Sequence, residues 1–262
     1  MPELPDVEVF KGYVDAKALH QRIHDVEVSA NGMLRSVSAK AVKSRLKGRQ
    51  LASTRRHGKH LFIRVTGDGW LRLHFGMTGG LKYFKNAADA PDHTRLRLDF
   101  VNGYHLAYTD VRKFGQIGLV DDVDSFVESQ SLGPDALAVD INTFRAVLRK
   151  YHGALKPRLL EQTAIAGIGN IYADEMLFAA GIHPLTRMEN LDDYALRGLH
   201  GAMQQILRQA IDARGESHRF PSSFLLRQRQ VEGKCPRCGT KLKRITVGGR
   251  TTYYCSNDQK RK

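Results

Sequence analysis

The run LFIRVTGDGWLRLHF, residues 61–75, decides the fold. Its two halves, LFIRV and WLRLHF, alternate apolar with polar residues at the two-residue period of a strand, and Asp68-Gly69 between them supplies a hairpin turn. Working outward, LRLDFV (96–101) and YHLAY (104–108) repeat the alternation, with Asn31-Gly32 and Asn102-Gly103 as further turns. Residues from about Ile23 to Val120 therefore read as an antiparallel sheet domain, folded as a sandwich. Upstream, VEVFKGYVDAKALH (7–20) sets Val7, Phe10, Val14 and Leu19 at helical spacing, and Pro5 and Asp6 suit a first turn. Downstream, DDVDSFVESQSLGPDALAVD (121–140) is acidic, broken by Gly133-Pro134, and reads as a linker. TFRAVLRKYH, PRLLEQ, NIYADEMLFAAG and LDDYALRGLHGAMQQILRQAIDA then carry helical patterning between short Gly or Pro breaks. The expected fold class is α+β. A helix and sandwich span 1–122, a linker 123–140, a helical domain 141–218 and a basic ribbon 219–262.

At 262 residues, 42% hydrophobic and 26% charged, the chain has material for two packed domains. It has no run of 18 apolar residues and no charged-then-apolar leader, so a cytosolic protein without a membrane span is expected. Lys and Arg number 41 against 27 Asp and Glu, a net charge of +14. Such an excess fits either a polyanionic partner or a generically basic surface, and its location sharpens the choice. From Arg219 to the end, twelve Lys or Arg stand against Glu232 and Asp258, so the last 44 residues hold +10 of the surplus.

All three cysteines lie in that tail, as Cys235-x2-Cys238, then Cys255-x2-Asp258. An odd, clustered set in a chain without a signal peptide reads as metal binding rather than a disulfide framework. Two knuckles joined by a hairpin are how a tetrahedral zinc ribbon is built; the alternative is a degenerate ribbon held by its own packing. A carboxylate can be the fourth ligand, although thiolates are commoner there. Between the knuckles, KLKRITVGGRTTYYC reads as two strands joined at Gly248-Gly249, with Arg250 just past the tip. A guanidinium so placed is either a phosphate fork or a solvated surface group.

Other stretches leave similar choices. AIAGIGNIYADE (164–175) puts Gly167, Gly169 and Asn170 before a helical run. It lacks the third glycine of a dinucleotide fingerprint, so it is a phosphate clamp at a helix start or a plain helical corner with Asn170 as N-cap. RRHGKHLF (55–62) sets Lys59 in a basic cluster, and HFGMTGG (74–80) places Met77 on a Gly-flanked loop, where methionine ordinarily fills core. MPELPDVEV, the first nine residues, pairs Pro2 with Glu3 as reactive equipment or as the start of a helix.

Jointly, PELPDVE, RRHGKHLF, HFGMTGG, YTDVRKFG, KPRLL, AGIGNIYADE, AAGIHP and the ribbon with GRTTYYC resemble the formamidopyrimidine-DNA glycosylase and endonuclease VIII family, in family order along nearly the whole chain. The resemblance implies a helix-two-turn-helix domain after the sandwich, one structural zinc in the ribbon, a monomer, and double-stranded DNA with a damaged base or abasic site as partner. It implies removal of Met1 and attack by the Pro2 amine on the sugar C1′, giving an iminium that permits β- and δ-elimination, with Glu3 shuttling protons. An α-amino group titrates near 7.7–8.0 against about 10.4 for lysine, so it is partly free base at neutrality. Lys59, His74, Asn170 and Arg250 match residues that grip phosphates, Lys59 standing also with Pro2 and Glu3 as catalytic. Met77, Arg112 and Phe114 match a trio that fills the gap left by a flipped base, and Lys156 a lysine near the lesion pocket.

Three departures stand out. Asp6 replaces the family's usual Glu, Asp258 replaces the last ribbon cysteine, and GESHRFPSSFLLRQRQVEGKCPRC (215–238) is shorter than the loop that closes over oxidised purines. The reading favours formamidopyrimidine or 8-oxoguanine lesions. The alternatives are the same chemistry on oxidised pyrimidines, or a non-catalytic binder of damaged DNA.

Overall fold

The computed structural model describes residues 1–67 and 69–260 and is α+β. It divides into two compact units, Met1–Gln130 and one beginning at Ser131.

In the first unit helix α1 (Leu4–Lys17) precedes strand β1 (Ile23–Val28), helix α2 (Ala39–Leu46), strands β2 (Leu51–His57), β3 (His60–Val65), β4 (Trp70–His74), β5 (Gly79–Phe84), β6 (Thr94–Phe100), β7 (His105–Asp110) and β8 (Gln116–Val120), and helix α3 (Val123–Ser129). The strands form two antiparallel four-stranded sheets, in orders β1-β6-β7-β5 and β2-β3-β4-β8. Period-two alternation explains their packing. Leu61, Ile63 and Val65 of β3 with Leu71 and Leu73 of β4 share one core with Leu96, Leu98, Leu106 and Tyr108 of the other sheet, and with Val7, Val14, Val42 and Leu46 of the two helices. Truncating one such leucine to alanine costs about 2–5 kcal/mol.

Three expectations change. Asn31-Gly32 is no hairpin but a 3-10 turn, Asn31–Met33, leading toward α2. That helix went unread among the strands because it offers only Val42 and Leu46 to the core; its signal is the Ser38 N-cap, whose side chain accepts the Ala41 N–H at 3.1 Å. Residues 123–129 of the expected linker form α3, capped by Asp122, whose Phe126 ring packs 5.6 Å from that of Phe62 on the outer face of the second sheet. The Asn102-Gly103 turn joins β6 to β7, with Gly103 at φ 80°. Asp68 of the third expected turn lies outside the described residues, as do the last two of the basic tail.

The second unit holds helices α4 (Ile141–Leu148), α5 (Leu155–Leu160), α6 (Asn170–Ala179) and α7 (Asp193–Asp212), then strands β9 (Lys243–Val247) and β10 (Arg250–Tyr254). Asp140 and Asp192 cap α4 and α7. Leu196, Leu199, Met203, Leu207 and Ala210 form the buried stripe of α7. The ribbon turns at Gly248-Gly249, φ 56° and 72°, the left-handed pair a two-residue hairpin requires. It packs on α6 through Phe178, Leu225, Cys235, Leu242 and Cys255. No helix of the described residues is long and apolar enough to cross a membrane.

Candidate nucleic-acid interface and metal centre

Pro2 and Glu3 sit immediately before α1. Glu3 is its N-cap, 1% exposed, and donates its backbone N–H to Asp6 Oδ2 at 2.8 Å. Burial pushes the Asp6 carboxyl above its usual range, and this backbone bond works against that push. The shorter Asp6 thus reaches back far enough to fix the turn that carries Pro2. The positive end of the helix dipole lies where the Glu3 carboxylate is held.

A second group gathers on the outer face of the β2-β3-β4-β8 sheet. Lys59 occupies the Gly58-Lys59 turn between β2 and β3, made possible by Gly58 at φ 54°. His60 and His74 face each other across β3 and β4, ring centroids 4.9 Å apart. Burial, then the charges of Lys59 and Arg72, pull the His74 ring down to about 4. His74 is therefore neutral at physiological pH. Its Nδ1 accepts the Gly76 N–H at 3.3 Å, which leaves the proton on Nε2 as a donor for an oxygen ligand.

Met77, Arg112 and Phe114 are brought together on two neighbouring loops, all three exposed, with the Arg112 Cζ 4.8 Å from the Phe114 ring centroid. The organiser is Asp110, fully buried and missed in the sequence. Its Oδ1 accepts the Thr78 hydroxyl and, at 3.1 Å, the Arg112 N–H, while Oδ2 accepts the Gly115 N–H at 2.7 Å. The loops also meet backbone to backbone. A Cβ on Gly76 would lie 2.5 Å from Gly115 N, and one on Gly115 would lie 1.7 Å from the Tyr108 hydroxyl. The exposed apolar methionine is thus held out of the core by the loop that bears it.

In the second unit, Asn170 opens α6 and Gly169 is the N-cap. The Asn170 Nδ2 donates to Thr251 O at 2.9 Å, whereas its buried Oδ1 has no hydrogen-bond partner among the described residues. Arg250 is exposed at the ribbon tip, which rests on α5: a Cβ on Gly248 would meet Pro157 at 3.0 Å. Lys156, matched to a lysine near the lesion pocket, does not reach the surface. It is fully buried, its Nζ 2.6 Å from Asp174 Oδ1 and 2.6 Å from Thr252 Oγ1. Asp174 also receives Arg229 and, at 3.2 Å, the Tyr253 N–H. Lys156 and Asp174 therefore tie α5 and α6 to the ribbon and support Asn170 and Arg250 from below. Asp174 stood inside NIYADE, but its partners come from far along the chain.

The ligand atoms of Cys235, Cys238, Cys255 and Asp258 all lie within 4.8 Å of one another. Cys235 Sγ is 3.0 Å from Asp258 Oδ2, and Cys238 Sγ 3.5 Å from Cys255 Sγ. These separations fall a little short of the edge of a tetrahedron with arms of about 2.3 Å, about 3.8 Å, and the four donors together fit one structural zinc with Asp258 as fourth ligand. Gln259 steadies it, accepting the Cys255 N–H at 2.9 Å and donating to Ile182 O at 2.8 Å.

Comparison with known proteins matches residues 1–117 to the formamidopyrimidine-DNA glycosylase N-terminal domain, 132–222 to the formamidopyrimidine-DNA glycosylase H2TH domain, and 233–261 to the zinc finger found in FPG and IleRS. A formamidopyrimidine-DNA glycosylase of Pelotomaculum thermopropionicum is 35% identical, covering 99% of both chains. The Lactococcus lactis formamidopyrimidine-DNA glycosylase bound to DNA with an abasic site superposes at TM-score 0.89, 31% identical over 99% of this chain and all of that one. A MutM structure with DNA containing carbocyclic 8-oxo-G gives TM-score 0.88 and 34% identity over the same shares.

Proposed function

The chain belongs to the formamidopyrimidine-DNA glycosylase family, and from that premise we propose which of its residues carry the chemistry. It is a zinc-finger DNA glycosylase of base excision repair, acting on double-stranded DNA with a damaged base or abasic site. The Pro2 nitrogen is an amide while Met1 is attached, so removal of Met1 frees the nucleophile. The freed secondary amine attacks the sugar C1′ as the damaged base leaves with the bonding pair. The nitrogen then gives up its proton and forms an iminium with the ring-opened sugar. The iminium acidifies the C2′ proton, and its removal expels the 3′ phosphate; a second elimination expels the 5′ phosphate. Glu3 accepts and returns the protons these steps need. The observation that carries this reading is Glu3, nearly enclosed at the start of α1 beside Pro2 and fixed through Asp6.

Lys59, His74, Asn170 and Arg250 hold phosphates in this account, and Met77, Arg112 and Phe114 occupy the gap left by the flipped nucleotide. Formamidopyrimidine and 8-oxoguanine lesions are the favoured substrates, supported by the complex of the MutM relative. One observation favours oxidised pyrimidines as the second reading. The short segment after α7 is tied down, since Glu175 accepts the N–H groups of Leu225, at 2.9 Å, and Leu226. The site of work is the cytoplasm, at the nucleoid where the cell is bacterial, and the protein acts as a monomer. As the test, Pro2→Gly and Glu3→Gln are assayed on a lesion-containing duplex. Both should lose strand cleavage by at least about 100-fold while still binding, and normal cleavage by either would reject the assignment.

A further inference from the structure

Of the arginines on the β2-β3-β4-β8 sheet, the two neighbours on β2 each have a carboxylate. Arg55 pairs with Asp124, and Arg56 Nε lies 2.6 Å from Glu8 Oε2. Arg72 is only 4% exposed, yet among the described residues no carboxylate comes within 4.0 Å of it. Its Nη1 donates to Gln116 Oε1 at 3.2 Å and lies 3.3 Å from His60 Nδ1, and its Cζ stands 4.9 Å from the centroid of the Phe126 ring. Gly118 opposite makes the room, because a Cβ there would sit 3.1 Å from Arg72 Nη2. Burial, then the charge of Arg35, pull the guanidinium down to about 10. A buried cation without a counter-charge destabilises a fold, so its presence asks for a compensating partner.

Arg72 shares the outer face of β4 with His74, and the His60 ring that receives its Nη1 lies against the His74 ring. We propose that Arg72 is a positioning charge for the DNA backbone, with the phosphate gripped by Lys59 and His74 as its counter-ion. The inference rests on the phosphate-holding roles of those two residues. Beneath a low-dielectric wall the charge is screened less than a surface lysine would be, and its field reaches the phosphate through His60 and His74. Burial first, and then the neighbouring positive charges with Arg72 among them, hold both rings neutral, so attraction comes from Arg72 and Lys59 while His74 supplies a hydrogen bond.

Arg72→Met in the full chain is tested by fluorescence anisotropy on a duplex with an abasic-site analogue over a salt series, beside thermal unfolding. Affinity should fall about tenfold and the log–log salt slope should shrink by up to about 0.9, while Tm does not drop. Arg72→Lys, which keeps the charge, should retain the slope. Unchanged affinity and slope in Arg72→Met would overturn the inference. So would a lower Tm or failure to fold, which would make Arg72 a structural residue. Lys59→Ala in the same series separates the two claims. If it weakens binding and Arg72→Met does not, only the Arg72 inference fails; if neither does, the phosphate-holding reading fails as well.

Discussion

Arg72 in the first unit and Lys156 in the second are both buried cations, but their surroundings are opposite. Lys156 is locked to Asp174, which also takes Arg229, so its charge is spent inside the protein and joins two helices to the ribbon. Arg72 has an amide, an imidazole and an aromatic ring for company and no carboxylate among the described residues. The contrast teaches that pairing, rather than burial, separates a cation that holds a fold together from one that waits for a polyanion. The same division runs through the two units' titrating groups: histidines held neutral beneath the first unit's basic face, and a carboxyl, Glu175, pushed up to about 7 by burial in the second.

The largest effect should come from breaking the pairing. Asp174→Ala leaves Lys156 and Arg229 without their common carboxylate and should cost about 3–5 kcal/mol in denaturant unfolding of the second unit, whereas Lys156→Met, which leaves Arg229 on Asp174, should cost less. Equal costs would mean the lysine, not the shared carboxylate, is the centre of the network.

Next in size is a pH response of opposite sign in the two units. His74 is depressed from 6.5 to about 4, so the unfolded chain takes up its proton first as pH falls. Stability from His74 is full above about 6.5 and is lost towards 4, about 2 kcal/mol by pH 5. Glu175 is raised from 4.5 to about 7, so its folded form holds the proton longer, and its contribution fades as pH rises across that window. Hydrogen exchange, corrected for intrinsic rates, should show β3 and β4 amides gaining protection from pH 5 to 7.5 and α6 amides losing it. Slopes of one sign in both units would break the comparison.

The smallest effect belongs to an exposed charge. Arg250→Ala should leave Tm unchanged and reduce the salt slope of duplex binding by about one. An unchanged slope would remove the ribbon tip from the phosphate contacts.

What was legible in the sequence follows the same physics. Local patterns carried the sheets, α1, α7 and the ribbon, because alternation, helical spacing and Gly248-Gly249 are written in adjacent residues. The knuckle spacing likewise brought the four metal ligands into view. Helix α2 escaped because its core face is two residues long, and α3 because its acidic composition hides Phe126, which is fixed only by the sheet beneath it. Asp110, Asp174 and Arg72 escaped for a different reason. Each is defined by its partners, such as Arg229 for Asp174, 55 residues away in the chain, and Gln116 for Arg72, 44 away. Lys156 was visible as a residue of interest, but only its burial shows that it works through Asp174.

In the proposed mechanism the amine of Pro2 performs the lyase chemistry. Borohydride trapping on a duplex with one abasic site, followed by peptide mapping of the adduct, tests it most directly. A covalent adduct at Pro2, on chains lacking Met1, is the expected result. An adduct mapped to Lys59 instead, or none from protein that still binds the duplex, would contradict it.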